Sequence, residues 1–222
     1  MTQSKNDYNK TGQIRYIKPL SRQVIIAKAN EILESFYPSR ILPIDIERIL
    51  DDMDIPVIPI PELKKIIGKD AFITSTFEQI YIDEYKFTNE PLSRILVAHE
   101  LGHKVLHPQI YETFEIKNVN DFLEFQNNQP LLVAYNRIET QAEIFASALL
   151  IPPDTLTKLI KELLESKNGI ENLDLFDYQK FFRNLIIKYN VTRFIIIPAV
   201  SEVSNEGKAL MKQMMNFSSQ LY

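Results

Sequence analysis

Apolar positions along the chain fall into a series of helical stripes broken by one short β-rich stretch. In SRQVIIAKANEILESFYP, residues Val24, Ile25, Ala29, Ile32, Leu33 and Phe36 recur at helical spacing, with Ser21 as N-cap and Pro38 as stop. ILPIDIERILDDMD predicts a second, short helix with Ile46, Ile49 and Leu50 on one face. The prolines of IPVIPI forbid a helix interior and predict an extended segment. DAFITSTFEQIYIDE holds two β-rich runs, AFIT and QIYID, joined by a polar turn, which predicts an antiparallel hairpin.

The helical period returns near Thr88, with Pro91 close to the start, Leu92, Ile95 and Leu96 following, and Pro108 as terminator. Residues 108–130 are acidic, amide-rich and aromatic, which predicts an insertion or flap with room for a short helix. LLVAYNRIETQAEIFASALLIPP predicts a long amphipathic helix closed by Pro152 and Pro153. Another helix is expected from Asp154 to Lys167, ended by Asn168-Gly169, and one more over 174–189. VTRFIIIPAVSE fits a strand or a helix. The expected organisation is a flexible arm over 1–20, one domain over 21–200 and a loosely held tail over 201–222.

Composition narrows the chemistry. With 222 residues, 45% hydrophobic and 24% charged, the chain is long enough for a well-buried core. A net charge of −4 gives no electrostatic footprint for nucleic acid or an anionic membrane, and neither is an expected partner. Cysteine is absent, so a metal would have to be held by His, Asp or Glu. The first residues lack the apolar core of a signal peptide and no run is long enough to span a bilayer, so a cytoplasmic location is expected.

All three histidines lie in ILVAHELGHKVLH, at His99, His103 and His107. Positions i and i+4 of a helix share a face, so His99 and His103 can aim two imidazoles at one point. Chance would place HExxH in such a composition roughly two times in a thousand, too rarely to dismiss the motif. Zinc accepts neutral imidazole, and a catalytic site uses three protein ligands plus a water. Glu100, beside the first ligand, would take a proton from that water and pass it to a leaving amine. Gly102 costs a helix about 1 kcal/mol relative to alanine, a sign that something approaches its backbone closely. His107 lies two turns from His99, too far to join the same ion, and is expected to support or pack beside the ligands.

A third ligand must come from elsewhere, since KVLHPQ after His103 lacks the HExxHxxGxxH continuation. Glu112, Glu115, Asp121 and Glu124 fall in the flap, where geometry is harder to hold. Glu139 and Glu143 stand one turn apart on the second long helix, among Ile138, Ala142 and Phe145. Glu139 is the expected ligand, with Glu143 as an acceptor orienting a ligand imidazole or as the alternative ligand. Small Ala142, Ala146 and Ala148 would let the two helices approach closely.

HELGHKVLH followed by ETQAEIFASALLIP resembles the ImmA/IrrE-type metallopeptidases, whose pattern is HELGHxxLH and then ExxA(N/D)xFAxxLLMP. The likeness runs over roughly residues 22–195. It implies an α+β fold: a mainly helical, zincin-like metallopeptidase domain with a small antiparallel sheet packed on the HELGH helix. It also implies a gluzincin-like Zn2+ site with His99, His103 and Glu139 as ligands and Glu100 as general base. Relatives of this type cleave or inactivate transcriptional repressors, so the expected partner is a repressor or other regulatory protein. The chain departs from the pattern in having Glu143 where Asn or Asp is usual, a long 108–130 link, and no helix-turn-helix ahead of the peptidase region. Tyr111, Tyr135 and His107 are each conceivable oxyanion donors.

The expected function is a zinc metalloendopeptidase of narrow specificity. The alternative is a zinc-stabilised module that inactivates a repressor by association without cutting it.

Overall fold

The computed structural model describes residues 19–111, 115–127 and 132–219, with the side chains of 125–127, 132–135 and 217–219 left aside. Helix α1 (Arg22–Phe36) starts where Ser21 Oγ accepts the Val24 amide, and it buries Ile25, Ala29 and Leu33. Asp45 caps α2 (Ile46–Asp52) in the same manner through the Arg48 amide. Strand β1 (Val57–Ile60) follows, then α3 (Leu63–Ile67), which ends at Gly68 with φ 71°, a left-handed turn suited to glycine.

Strands β2 (Ala71–Ile73) and β3 (Ile80–Asp83) form the expected hairpin, with Phe72 opposite Tyr81. The sheet is mixed rather than purely antiparallel, because β1 pairs parallel to β3, Val57 opposite Ile80, in the order β1-β3-β2. Among the described strands β1 therefore lies at an edge, a position that tolerates a proline such as Pro59. β2 forms the other edge, on the side of the HELGH helix.

The short helix α4 (Glu84–Phe87) leads into α5 (Glu90–Leu106), which carries HELGH and is capped by Asn89. Arg94 anchors α5 in the core: it is 3% exposed and donates to the carbonyls of Ile44 at 2.6 Å and Asn190 at 3.1 Å. Helix α6 (Pro108–Tyr111) and helix α7 (Val119–Asn127) occupy the stretch expected as a flap. Its described part is clipped onto the sheet: Ser75 and Ile116 exchange hydrogen bonds, and Phe122 packs on Phe72 with centroids 4.7 Å apart. Leu63, Ile67 and Ile116 complete this small second core.

Helix α8 (Leu132–Leu150) crosses α5 and also packs on α1, so that Val97, Ala98 and Leu101 meet Phe145 and Leu149 in the main core. Helix α9 (Pro153–Ser166) and helix α10 (Leu175–Tyr189) close one end, α10 beginning in a capping box between Asp174 and Asp177. The ambiguous VTRFIIIPAVSE is helical, as α11 (Arg193–Val203) with Pro198 inside it.

The segment expected as a loose tail is α12 (Asn205–Ser219), which buries Leu210 and Met211. A Cβ on Gly207 would collide with the Val200 carbonyl, so the glycine permits α12 to fold back against α11. The arm expected over 1–20 lies outside the described residues apart from Pro19 and Leu20. No described helix is long and apolar enough to cross a membrane.

Candidate metal centre

On α5, His99 and His103 stand one turn apart with their Nε2 atoms 3.1 Å from each other. Helix α8 brings Glu139 to the same point, with Oε2 3.6 Å from His99 Nε2 and Oε1 3.4 Å from His103 Nε2. A tetrahedral zinc with bonds of about 2.0–2.1 Å spaces its ligand atoms about 3.4 Å apart. The observed separations match that spacing, and the three donors are the nitrogen and oxygen types zinc accepts, so the residues fit the ion. Lys69, in the turn before β2, places its Nζ 3.2 Å from Glu139 Oε2.

The helix crossing that makes this possible is built from small residues. A Cβ on Gly102 would meet Phe145 Cδ1 at 3.1 Å and Ala142 Cα at 3.2 Å. Gly102, one residue before His103, thus lets the α5 backbone come close to α8 at Ala142, three positions after Glu139.

Burial controls the protonation of the cluster. Glu100 is 5% exposed, and burial raises its carboxyl to about 7 despite the nearby His99 and the amide of Ile73, which donates to Oε2 at 2.9 Å. Burial holds His103 neutral, down to about 3, and His107 down to about 4. Burial acts in the same direction on His99, but contact with Glu139 and the charges of Glu100 and Glu143 outweigh it and raise that imidazole. Glu139 is pulled the other way: burial opposes its charge, yet its contacts with His103 and His99 hold the carboxyl well below the usual range. An ionised carboxylate facing two imidazole nitrogens is a cation-binding arrangement.

His107 does not approach the Glu139 carboxylate. Its Nδ1 lies 3.2 Å from His103 Nδ1, and its Nε2 lies 2.8 Å from Gln141 Oε1. Glu143, named from the sequence as an orienting acceptor or alternative ligand, is exposed and outside the three-residue group. Among the described residues it makes no hydrogen bond to either ligand ring, and support of His103 falls to His107 and Gln141.

Of the flap acids, Glu115 and Glu124 are exposed, Asp121 accepts the Lys117 amide, and Glu112 lies outside the described residues. Tyr111 is buried with its ring 4.9 Å from that of His103, while the Tyr135 side chain is outside the described set. Gln141 and Lys69 escaped the sequence reading. Gln141 carried one signal, an amide among the apolar residues of α8 two positions after Glu139, whereas Lys69 carried none.

The centre opens into a cleft of about 840 Å³ that runs from Lys69, Ala71 and Phe72 past the histidines to Ile144, Phe194 and Pro198. No curated protein matches the chain. The family model for the IrrE N-terminal-like domain, a peptidase family, matches residues 50–173. That span begins in α2 and contains the whole sheet, α5 and α8, so every residue of the candidate centre falls within it. The chain belongs to the IrrE N-terminal-like domain family of metallopeptidases.

Proposed function

We propose that this protein is a zinc-dependent endopeptidase of narrow specificity that acts on a cytoplasmic regulatory protein, a transcriptional repressor in the first instance. The observation that carries the reading is the meeting of His99, His103 and Glu139 beside a buried carboxyl, Glu100, at the edge of a sheet. A zinc ion held by those three residues would supply Lewis acidity, polarising a peptide carbonyl and acidifying a bound water.

The chain's own groups supply the rest. Ile73 holds Glu100 Oε2, which leaves Oε1 to take a proton from the attacking water and return it to the leaving amine. A carboxyl poised near neutrality accepts and releases that proton more readily than one at 4.5. Among the described strands β2 pairs on one side only; on its outer side the Ile73 amide is taken by Glu100, while Ala71 borders the cleft. An extended peptide added along that edge would run through the cleft past Glu100, positioned by main-chain hydrogen bonds. The far wall of the cleft is apolar, with Ile95, Leu96, Ile144, Phe194, Ile195 and Pro198. Phe194, Ile195 and Pro198 lie beyond the matched family span, which supports a specificity particular to this chain. The repressor as substrate is supported by the likeness of HELGHKVLH and ETQAEIFASALLIP to ImmA/IrrE-type peptidases.

The test is incubation of the zinc-loaded protein with a repressor-like protein encoded beside it. Cleavage is expected from the native chain, and none after chelation or with Glu100→Gln. Equal cleavage by Glu100→Gln would overturn the mechanism. A native chain that binds no zinc would overturn the reading as a whole.

A further inference from the structure

His103, His107 and Gln141 form a line of hydrogen-bonding atoms that starts on α8 and ends at the candidate metal centre. Protons along such a line are counted from its fixed end. The Oε1 atom of Gln141 can only accept, so His107 Nε2 carries a proton and donates it across 2.8 Å. A neutral His107 that carries its proton on Nε2 presents a lone pair at Nδ1. One proton fits between nitrogens 3.2 Å apart, and it must come from His103 Nδ1. A neutral His103 with its proton on Nδ1 then has a bare Nε2, the atom that faces His99 and Glu139.

We propose that Gln141 and His107 are positioning residues that set the tautomer of His103 and thereby present its Nε2 lone pair to a divalent metal ion. The consequence for metal rests on the metallopeptidase reading above, whereas the tautomer is a property of the metal-free chain. The usual device is a carboxylate or backbone carbonyl on the ligand's other nitrogen. Here α5 supplies the acceptor itself, one turn beyond the ligand, and α8 fixes that acceptor's proton. Helix α8 therefore acts on the centre twice, with the Glu139 carboxylate and with the Gln141 amide. A reversed Gln141, donating its NH2 to His107, would invert each step and put a proton on His103 Nε2, where it blocks the ion.

The test has two arms. Nitrogen-15 NMR of the imidazoles in the metal-free native chain reads the tautomers directly. The expected result is His103 protonated at Nδ1 and His107 at Nε2, and a proton on His103 Nε2 overturns the proposal. In the second arm, Zn2+ affinity is measured by chelator competition for Gln141→Leu and Gln141→Glu. Glutamate keeps an acceptor and leucine removes it at similar size. Affinity is expected to fall about 10- to 100-fold in Gln141→Leu and to stay within a few-fold of native in Gln141→Glu.

A purely structural role makes the opposite ordering, since leucine is tolerated in a buried site better than a charge. Native affinity in Gln141→Leu also overturns the proposal. If the native chain binds no zinc, the metal-site reading fails while the NMR arm still decides the tautomer.

Discussion

The Cα of Ala142 lies 3.2 Å from the place a Cβ would occupy on Gly102. That close approach lets α5 and α8 pack near enough for Glu139 to meet the two histidines. In the sequence Gly102 sits between Glu100 and His103 as a helix-weakening residue, at a cost of about 1 kcal/mol. The structure shows what the cost secures: the backbone of the second helix rests against it.

Gly102→Ala is therefore expected to harm the protein although alanine is the better helix former. The added methyl would press on the backbone of Ala142 and on the Phe145 ring, which lies at 3.1 Å. Overpacking of this kind costs about 1–3 kcal/mol, against about 1 kcal/mol gained in helix propensity. A net loss on the order of 1 kcal/mol should appear in urea denaturation of the metal-free chain. Zinc affinity should fall as well, because α8 can yield only by carrying Glu139 away from the histidines. A variant more stable than native, with native affinity, would show that the crossing relaxes freely.

The two acids of ETQAE separate by their environments. Glu139 is drawn between His99 and His103, whereas Glu143 is exposed one turn further on. Glu139→Gln removes a ligand charge and is expected to lower Zn2+ affinity by more than about 100-fold, beyond what loss of a supporting residue does. Glu143→Gln should leave affinity within a few-fold of native. Competition with a fluorescent chelator measures both, and the reverse ordering would transfer the third ligand to Glu143.

The helical half of this design was legible because its signals are local. His99, His103 and Glu139 each lie on a strongly periodic helix, and the i, i+4 rule brings the two histidines together without any knowledge of the fold. The pairing of β1 was not legible. A parallel partner is set by contacts between Val57 and Ile80, far apart in sequence, and a Pro-containing run shows only that it is extended. Gln141 was missed because its role depends on a rotamer across a helix crossing, not on a spacing. The docking of α12 leaves little mark on the sequence: among its described side chains the buried ones are Leu210 and Met211, and the clearance at Gly207 is a tertiary feature.

The buried Glu100 predicts a pH-dependent stability in the metal-free chain. Its folded carboxyl titrates at about 7, above the 4.5 of an exposed glutamate. Between those values the folded protein keeps a proton that the unfolded chain has released, so raising the pH through this window favours unfolding. Above 7 both states are ionised and the penalty is constant. Glu100→Gln carries no such penalty and its amide oxygen can still accept from Ile73. It should exceed the native chain in stability by on the order of 3 kcal/mol at pH 8, with the difference vanishing well below the 4.5 of the unfolded glutamate. Urea denaturation in chelator at the two ends of the range measures this. Equal stability at pH 8 would mean that Glu100 is ionised without cost.

Metal loading should be visible as heat resistance, independent of any substrate. An ion that binds only the folded chain, at about 1,000 times its dissociation constant, stabilises it by about 4 kcal/mol. For a chain of this size each kcal/mol moves Tm by about 2–4 °C, so zinc should raise Tm on the order of 10 °C and chelation should reverse the rise. His103→Ala removes a side chain of α5 that is 1% exposed, so its own Tm will be lower before any metal is added. The informative quantity is therefore the increment on zinc addition, measured by scanning calorimetry at one pH. That increment should disappear in His103→Ala and persist in Glu100→Gln, since the first contributes a donor atom and the second lies beside the ion without holding it. A full increment in His103→Ala would place the ion at some other set of residues.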